Sequence, residues 1–499
     1  MNEELLLGID IGTTSCKALV FDLEGRPYAA AALPTPVLRP QPGWAEYDPH
    51  QIWQTVVSLL QTVLARTPAA AIRGVAVASM AEAGLLIAAD GSPLSPIIAW
   101  FDARTVELSN QWRTRIAPAA SFAITGIASR PIFSLFKIQW LRDNMPEAYQ
   151  RATAWLHMAD YIAFRLSGRV ATDFSLASRT MLLDLRQRRW SESLIDQAGI
   201  NPRLLPRLLP AGTRLGSVTA DAAAATGLIA GTAVGVGGHD HVCGALATGV
   251  REHAMCLDSM GTAESAFVAT TEPLIDRLTP DSGINLGVHV AQERWYLMRG
   301  VSSSGAAVHW AGTLLGAAVD EAPYTRLEAL AGNAPPGSMG VLFVPRLTGG
   351  DRGAFVGLTA DSGPTALARA VYEGLAYEWR RCLELHEAAL REPARSIRLI
   401  GGGSRSQLWV QIKADILDRP LQLLALDESV ALGAALLGGI AAGVFRNEHV
   451  ALAGLRRDIR IIEPDPVRAT RYNRIYQQAY LPIAPALADI HSAIATNSF

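Results

Sequence analysis

The chain has 499 residues, of which 49% are hydrophobic and 18% are charged, a composition typical of folded globular proteins. Its net charge is −2, from 44 basic and 46 acidic residues without a basic block, which disfavours nucleic acid or an anionic membrane as the main partner. The acidic start MNEELLLG lacks the features of a secretory signal, and no uncharged run is long and apolar enough to predict a membrane span.

The cysteines indicate the compartment in which the protein works. The four cysteines lie far apart and include no CxxC pair: Cys16, Cys243, Cys256 and Cys382. This spacing disfavours a disulfide framework or a zinc knuckle. We therefore expect a protein of the reducing cytoplasm.

The first predicted elements form a hairpin around a polar loop. Residues 5–9, 15–21 and 27–33 are predicted strands. The loop between the first two carries one carboxylate followed by small, hydroxyl and basic residues: Asp10, Gly12, Thr13, Thr14 and Lys17. Phosphate oxygens are bound by N–H groups, hydroxyls and cations, and glycine lets the backbone approach closely. The hairpin is thus a candidate phosphate site, with an ordinary tight turn as the alternative.

The rest of the first half contains two acids near strand ends. The predicted elements are a helix that starts at Asp48-Pro49, strands at 72–80 and 96–105, and a mostly helical stretch at 132–166. Glu82 and Asp102 follow or end these strands. Their position alone is typical of solvated strand-end acids.

A further acid stands between a predicted strand and a predicted helix. Residues 232–237 form the strand, and the sequence GGHDH precedes the helix. An acid at a helix N-terminus stays ionised, as a general base must. Asp240 is therefore a candidate general base. The alternative is that it only caps the N-terminus of the helix. Zinc ligation by His239, His241 and Cys243 is disfavoured, because residues two apart on a helix do not share a face.

The strand–loop–strand pattern occurs again half a chain later. Residues 254–270 align with residues 7–20, so that Gly261-Thr262 falls on Gly12-Thr13 with an offset of 249 residues. This pattern predicts an internal duplication, and two such hairpins could hold the phosphates of ATP. The chain has no P-loop motif and no GxGxxG after its first strand. We place the two domains at 1–248 and 249–499.

The C-terminal part alternates strands and helices, which makes the predicted fold class α/β. A long amphipathic helix is predicted at 365–390, followed by a strand, the Gly401–Gly403 turn and another helix within 396–420. A glycine turn at a strand end suits a flat adenine or ribose, with an ordinary helix start as the alternative. The segment 429–443 is predicted to be a helix of small residues that can pack very closely.

Together these segments resemble the FGGY family of carbohydrate kinases over essentially the whole chain. The resemblance rests on their order: GIDIGTTSCKALVFD, PGWAEYDP, PIIAWFDART, FKIQWLRDN, GGHDH, SMGTAES, GAFVGLTADSGPTALARAVYEGLAY, GGGSRSQLW and ALGAALLG. Two positions depart from the family signatures. In the first signature, Ile132 replaces the residue that usually precedes Lys137 and Trp140. In the second, Ala366 stands where a polar residue is usual. Both positions serve to identify the family, and neither takes part in the reaction.

The resemblance implies an α/β fold of two ribonuclease-H-like domains, of the actin, Hsp70 and sugar-kinase superfamily, around a central cleft. It also implies ATP-dependent, Mg²⁺-assisted phosphorylation of a sugar or polyol hydroxyl. Asp240 would be the catalytic base and would reach the metal through water, and Asp10 would lie near the metal and the phosphates. The implied nucleotide contacts are Gly12, Thr13, Thr14, Lys17, Gly261, Thr262, Gly305, Gly402, Gly403, Ser406 and Gln407.

The resemblance is less specific about the acceptor. The implied substrate contacts are Met80, Ala81, Glu82, Asp102, Asp240 and His241. WFDART resembles the pentulose-kinase pattern, which makes D-xylulose the first expectation, with L-fuculose, ribulose, erythritol and glycerol as alternatives. A non-catalytic, actin-like ATP-binding sugar sensor is disfavoured, because a sensor needs no base. A small sugar or polyol is the expected partner, and a homodimer is left open.

Overall fold

The computed structural model describes residues 4–301, 303–316, 322–347 and 352–496. Its strands are β1 (Leu5–Ile11), β2 (Ser15–Asp22), β3 (Pro27–Pro34), β4 (Glu46–Tyr47), β5 (Ile72–Ser79), β6 (Gly84–Ile87), β7 (Ile97–Ile98), β8 (Ala154–His157), β9 (Thr172–Asp173), β10 (Leu183–Asp184), β11 (Arg189–Trp190), β12 (Leu208–Leu209), β13 (Arg214–Ser217), β14 (Ala233–Gly235), β15 (Gly238–His239), β16 (Met255–Met260), β17 (Glu264–Thr270), β18 (Asn285–Val288), β19 (Trp295–Val301), β20 (Leu342–Val344), β21 (Ala354–Val356), β22 (Ser396–Ile400), β23 (Leu421–Leu424) and β24 (Ile459–Ile462). Its helices are α1 (Pro49–Leu64), α2 (Val106–Arg115), α3 (Pro118–Thr125), α4 (Ser134–Asn144), α5 (Pro146–Arg151), α6 (Met158–Ser167), α7 (Phe174–Ala177), α8 (Glu192–Ala198), α9 (Ala220–Thr226), α10 (Asp240–Ala247), α11 (Gly305–Leu314), α12 (Pro323–Gly332), α13 (Pro364–Leu390), α14 (Gln407–Leu417), α15 (Ser429–Ala441), α16 (Glu448–Ala453), α17 (Pro466–Ile475) and α18 (Leu481–Thr496).

The chain folds into two compact units, here called unit 1 and unit 2. Unit 1 consists of Met1–His253, Ala269–Leu297 and Glu428–Arg456, and unit 2 consists of Ala254–Val268, Met298–Asp427 and Arg457–Phe499. The domain bounds of 1–248 and 249–499 stay a prediction. Within the described ranges, no helix combines the length and the apolar composition that a membrane span requires.

Unit 1 is built on a sheet with the strand order β13-β14-β5-β1-β2-β3. β1 pairs antiparallel with β2 and parallel with β5, and the short β15 also pairs parallel with β5. Nearly every residue of β1 is buried, as is typical of a strand covered on both faces. The strands predicted at 5–9, 15–21 and 27–33 are confirmed, and so is the helix start, where the Asp48 side chain accepts a hydrogen bond from the N–H of His50.

α15 packs against β1 at a distance that excludes any side chain between them. A Cβ on Gly8 of β1 would lie 1.8 Å from the carbonyl oxygen of Ala431 in α15. On another face of the helix, a Cβ on Gly433 would lie 2.0 Å from the carbonyl oxygen of Cys243 in α10. The prediction of a closely packing small-residue helix at 429–443 is therefore confirmed.

Unit 2 contains a second sheet in which β17, β16, β22, β23 and β24 lie side by side in that order. β16 pairs antiparallel with β17 and parallel with β22, just as β1 pairs with β2 and β5. The turn of the first hairpin contains Gly12 and that of the second contains Gly261. The predicted pair of strand–loop–strand hairpins is confirmed, and the helix predicted at 365–390 is α13.

One predicted strand is shorter in the structure, and one predicted helical stretch is interrupted. The strand predicted at 96–105 is reduced to β7. The stretch 132–166 is mostly helical, as predicted, but it also contains the strand β8. Both strands pair with β6 in a sheet with the order β4-β7-β6-β8. Leu85 of β6 pairs with Leu156 of β8 across a long stretch of chain. Such pairing depends on tertiary context, which a local pattern does not contain.

We expect Gly8→Ala to destabilise unit 1, because a methyl group does not fit between β1 and the carbonyl of Ala431. Overpacking of this kind should lower the free energy of unfolding by roughly 1–3 kcal/mol, which chemical denaturation measures. Gly454→Ala is the matched control, since its Cβ would meet other atoms only at 3.7 Å or more. If the Gly8 variant is as stable as the parent, the close packing of α15 on β1 is wrong.

Candidate active site

Three parallel strands of unit 1 end at one edge of its sheet, and an acid lies at or just beyond the end of each. Asp10 of β1 and Gly238 of β15 both pair with Ala78 of β5, from its two sides. Asp240 directly follows β15, and Glu82 lies three residues beyond β5. Because ligands of open α/β sheets bind beyond the carboxyl ends of parallel strands, this edge is the candidate active site of unit 1.

β15 reaches β5 because Gly237, which precedes it, has no side chain. A Cβ at this position would lie 1.7 Å from the carbonyl oxygen of Val77. The N–H of His239 then donates to Oγ of Ser175 at 2.9 Å, which fixes the strand end from the side of α7. The glycines of GGHDH therefore place the following acid at the sheet edge.

Asp240 is the first residue of α10, and His239 rather than Asp240 occupies the N-cap position. Oδ1 of Asp240 lies 3.1 Å from Nε2 of His239 and accepts a hydrogen bond from the N–H of His241 at 2.6 Å. Burial disfavours the charged carboxylate, but the hydrogen bond from His239 and the charge of His241 outweigh it and lower the pKa of Asp240 below its ordinary value. Asp240 is therefore ionised at neutral pH.

Asp10 has the opposite protonation. Burial raises its pKa to about 8, and the nearby Asp240 adds to the rise, whereas Lys17 opposes it. Oδ1 of Asp10 is enclosed and accepts no hydrogen bond from the described part of the chain. One of the two neighbouring acids is thus charged at neutral pH, and the other holds its proton.

This pair of acids fits a magnesium ion. An enclosed carboxylate oxygen without a donor, next to a second carboxylate, offers the hard oxygen ligands that Mg²⁺ prefers, and a cation would favour ionisation of Asp10. Across the described ranges, no group of three or more His, Cys, Asp or Glu side chains is placed to hold a metal. The protein would therefore supply one or two carboxylates, with water and phosphate as the other ligands, as is usual for Mg²⁺ in phosphoryl transfer.

The first hairpin presents hydroxyl groups beside these acids. The N–H of Gly12 donates to the carbonyl of Ser15 at 3.0 Å and closes the turn. Oγ1 of Thr13 accepts a hydrogen bond from Nε1 of Trp100 at 2.9 Å, which leaves the hydroxyl proton of Thr13 able to donate. Thr14, at the tip, is exposed. These groups can donate hydrogen bonds to an anion.

Lys17 adds a positive charge next to Asp10. Its Nζ lies 2.8 Å from Oε2 and 3.0 Å from Oε1 of Glu428, the residue that precedes α15. Both side chains are about a third exposed, at 28% and 35%, so the pair contributes little to stability. The pair keeps the ammonium at the hairpin, where a phosphate could replace Glu428 as its counter-ion.

Glu82 is held in a strained conformation by a buried arginine. Its φ of +63° lies in the left-handed region that residues other than glycine rarely occupy. Oε1 of Glu82 accepts a hydrogen bond from Nε of Arg179 at 2.7 Å, and both side chains are almost fully buried. His241 lies within electrostatic range of both groups. Because strain and buried charge concentrate at functional sites, these three residues are candidates for binding a polar substrate.

The other predicted substrate contacts are engaged within the protein. Met80 and Ala81 are buried, and the hydroxyl of Tyr47 donates to Sδ of Met80 at 3.5 Å. Oδ1 and Oδ2 of Asp102 accept hydrogen bonds from Arg104 at 2.8 and 2.9 Å. The charge of Asp102 is therefore satisfied by Arg104, and its role as a substrate contact stays a prediction.

A buried lysine lies within electrostatic range of Glu82 and Asp102. Lys137 of α4 is fully buried, and its ammonium donates to the carbonyl of Ile132. Burial lowers the pKa of Lys137 to about 8, while the charges of Glu82 and Asp102 oppose that change.

Unit 2 brings several of its predicted nucleotide contacts together. The N–H of Gly305, the first residue of α11, donates to the carbonyl of Gly261 at 3.1 Å, and the N–H of Ala306 donates to the carbonyl of Thr262 at 3.0 Å. A Cβ on Gly305 would lie 2.6 Å from the carbonyl oxygen of Gly261. Glycine is therefore required where α11 meets the second hairpin.

The glycine turn at 401–403 lies against the same hairpin. Gly401 has a φ of +96°, and a Cβ there would lie 2.7 Å from the carbonyl oxygen of Met260. A Cβ on Gly403 would lie 2.7 Å from the ring of Trp409. Gly402 is exposed, and a Cβ on it would meet no atom within 4 Å. Gly402 is therefore the residue of this turn that is open to a ligand.

Ser406 and Gln407 lie at the start of α14. Oγ of Ser406 accepts a hydrogen bond from the N–H of Trp409 at 3.1 Å and donates to Oε1 of Glu328 at 2.7 Å, so it caps the helix. Gln407 lines a cavity of about 650 Å³, within the size range of small-molecule sites. Gly305, Gly402, Gly403 and Ser406 do not line this cavity. The roles assigned to all these residues from sequence stay predictions.

Four residues of the site fall outside the contacts expected from sequence: Trp100, Lys137, Arg179 and His239. Arg179 is 97 residues from Glu82, and Trp100 is 87 residues from Thr13. Contacts over such separations arise from the tertiary fold and leave no local pattern. The position of His239 directly before Asp240 is the one sequence signal that identifies it as a partner of that acid.

Family comparisons match both halves of the chain. The model of the N-terminal domain of the FGGY family of carbohydrate kinases matches residues 5–247, and the model of its C-terminal domain matches residues 256–442. The chain belongs to this family. The resemblance seen in the sequence motifs is therefore confirmed.

Individual relatives cover nearly the whole chain. L-fuculokinase of Escherichia coli O157:H7 is 30% identical over 472 residues, which are 93% of this chain and 98% of the relative. Xylulose kinase of Escherichia coli strain K12 is 30% identical over 493 residues, which are 95% of this chain and 99% of the relative. The crystal structure of xylulose kinase from Rhodospirillum rubrum has a TM-score of 0.90 at 29% identity and covers 98% of this chain and 100% of that chain. The two-domain α/β fold class is confirmed. The sequence identities to L-fuculokinase and to xylulose kinase are equal, so they do not identify the sugar that accepts the phosphoryl group.

In the absence of a cation, Asp10→Asn should stabilise the protein at neutral and alkaline pH. The unfolded chain ionises this aspartate above about pH 4, whereas the folded chain does so at about 8, so stability is lost as the pH rises between these values. Asparagine does not ionise. The gain should therefore grow by up to about 1.4 kcal/mol for each pH unit between these values and level off above pH 8.

Urea denaturation with a chelator at about pH 4.5, 6.5 and 8.5 measures this difference. Asp240→Asn is the matched comparison: because the pKa of Asp240 is lowered, this aspartate is ionised in both the folded and the unfolded chain at all three pH values, so the stability difference between that variant and the parent should stay nearly constant. An Asp10 variant whose stability follows the parent at every pH would show that Asp10 titrates normally.

Proposed function

We propose that the protein transfers a phosphoryl group from ATP to a hydroxyl of a small sugar or polyol, with a ketopentose such as D-xylulose as the first candidate. The observation that carries the proposal is the placement of two carboxyl groups at one sheet edge, where Asp10 and Gly238, which lies two residues before Asp240, pair with Ala78 from its two sides. An ionised Asp240 can accept a proton, and Asp10 can bind a metal once it has released its own proton. Membership of the FGGY family of carbohydrate kinases supports the reaction class.

In this mechanism Asp240 accepts the proton of the acceptor hydroxyl while the new O–P bond forms. The hydrogen bonds from His239 and from the N–H of His241 both reach Oδ1, so they orient the carboxylate and leave Oδ2 for the hydroxyl. A low pKa makes Asp240 a weak base. Phosphoryl transfer through a loose transition state needs the nucleophile to be aimed more than it needs a strong base.

The hairpins provide the phosphate contacts of the donor. In unit 1, the hydroxyl of Thr13 and the ammonium of Lys17 would hold phosphate oxygens, and in unit 2 the turn of Gly261 and Thr262 would do so. Asp10 would hold Mg²⁺ after releasing its proton. When bound, the ion neutralises charge on the phosphate oxygens.

The acceptor would be bound by the cluster of Glu82, Arg179 and His241. A carboxylate accepts hydrogen bonds from sugar hydroxyls, and an arginine fixed by that carboxylate can donate to a carbonyl or hydroxyl oxygen. The WFDART segment and the similarity to xylulose kinases favour a ketopentose. The equal identity to L-fuculokinases makes a deoxy sugar the first competitor.

The first test replaces the proposed base. We expect Asp240→Asn to lower kcat about 10²–10⁴-fold while ATP binding is retained, as measured by ADP release and by calorimetry. Asp221→Asn is the matched control, since Asp221 is also an acid in the first turn of a unit 1 helix but is exposed. Turnover of the Asp240 variant within tenfold of the parent would remove Asp240 from this role. ATP binding by the parent without turnover on any acceptor would favour the sugar-sensor alternative.

The second test identifies the acceptor. We expect the highest kcat/KM with D-xylulose in a panel that also contains ribulose, L-fuculose, erythritol and glycerol. Glu82→Gln should raise the KM of the best acceptor about tenfold and leave the KM of ATP unchanged, because a hydrogen bond to a charged group is lost. Glu107→Gln, at an exposed position of α2, is the control. A higher kcat/KM with another sugar would replace D-xylulose as the proposed acceptor, and phosphoryl transfer from ATP to a sugar would remain the proposed reaction.

A further inference from the structure

A charged cluster lies inside unit 2, apart from the groups used by the proposed reaction. Lys413 of α14 forms ion pairs with Asp258 of β16 and Glu264 of β17, and all three side chains are 1% exposed or less. Nζ of Lys413 also lies 4.8 Å from the ring centre of Trp379. Because well-packed apolar residues often stabilise a core at least as well as buried ion pairs, stability alone is a weak explanation for the cluster.

Glu264 uses only one of its two carboxyl oxygens for Lys413. Burial and the neighbouring Glu264 raise the pKa of Asp258 well above its ordinary value, although Lys413 opposes this rise. The ammonium of Lys413 donates to Oε1 of Glu264, which leaves the second oxygen, Oε2, as an acceptor for another group.

That second oxygen connects the cluster to the second hairpin. It accepts a hydrogen bond from Oγ of Ser304 at 2.7 Å. Ser304 immediately precedes α11 and has an irregular backbone, with φ of −92° and ψ of −92°. The next two N–H groups, of Gly305 and Ala306, donate to the carbonyls of Gly261 and Thr262. A chain of contacts thus runs from Lys413 to the turn of the hairpin.

The hydrogen bonds to the carbonyls of Gly261 and Thr262 affect how well the turn binds an anion. Phosphate is attracted by N–H groups and repelled by carbonyl oxygens, so a turn binds it better when its carbonyls are held by other donors. The first hairpin has the same feature from an unrelated segment. The N–H and Oγ1 of Thr35 donate to the carbonyls of Thr14 and Gly12 at 3.0 and 2.7 Å. Both hairpins therefore have two turn carbonyls engaged by a neighbouring element.

We propose that Lys413, acting through Glu264 and Ser304, positions the second hairpin and thereby sets the affinity of the protein for nucleotide phosphates. Lys413 is a positioning residue, because it is enclosed in the core and acts through other groups. The proposal rests on the proposed function, in which the turn of Gly261 and Thr262 contacts phosphate.

The test separates phosphate recognition from general integrity of unit 2. We expect Ser304→Ala to weaken ADP binding about tenfold by calorimetry and to leave the affinity for adenosine, measured by NMR titration, unchanged. The KM of ATP should rise, with kcat and the KM of the acceptor near those of the parent. The triple variant Lys413→Met, Glu264→Gln and Asp258→Asn should show the same pattern, and it removes Lys413 together with both acids that pair with it.

Ser338→Ala is the matched control. Oγ of Ser338 donates to Glu373 at 2.8 Å, and Glu373 pairs with Arg369, so the substitution removes an equivalent bond from another buried network of unit 2. This variant should keep the parent's ratio of ADP to adenosine affinity. An unchanged ratio in both test variants, or an equal loss of ADP and adenosine affinity, would overturn the positioning role alone. A parent that binds no ADP would overturn the proposed function and the positioning role together.

Discussion

The candidate site depends on holding two carboxylates at one sheet edge without charging both. Burial and mutual repulsion disfavour two charges, and the fold resolves this by giving Asp240 hydrogen-bond donors and leaving Oδ1 of Asp10 without a donor among the described residues. The donors of Asp240 are His239 and the N–H of His241, and they favour its charged form. Asp240 is therefore ready to accept a proton, whereas Asp10 becomes a cation ligand only after losing its own proton, which a bound cation would favour.

Close backbone contacts place these acids. Gly237 lets β15 approach β5, and Gly8 lets α15 lie on β1, so main-chain elements meet where a methyl group would prevent contact. The start of α15 is preceded by Glu428, which holds Lys17 at the first hairpin. The second hairpin depends in the same way on Gly305. Local glycines therefore determine the packing, and the packing determines where charge and phosphate contacts lie.

The parts that sequence predicted are those with local causes. The Asp48-Pro49 helix start, the two hairpins and the placement of Asp240 at a helix start follow from capping, turn residues and strand periodicity. The pairing of β8 with β6 and the bond between Arg179 and Glu82 join distant segments, and no local pattern specifies such partners. Likewise, the burial of Lys413 beside two acids appears only in the fold.

The separated protonation of Asp10 and Asp240 is the central claim, and direct titration of the two carboxyl groups tests it. Carbon-13 NMR of protein labelled at the aspartate side-chain carboxyls, assigned with the Asp10→Asn and Asp240→Asn variants, follows each group as the pH changes. Without metal or nucleotide, Asp10 should titrate at about 8 and Asp240 below the ordinary aspartate value of 3.8. Titration of both groups near that ordinary value would contradict the account.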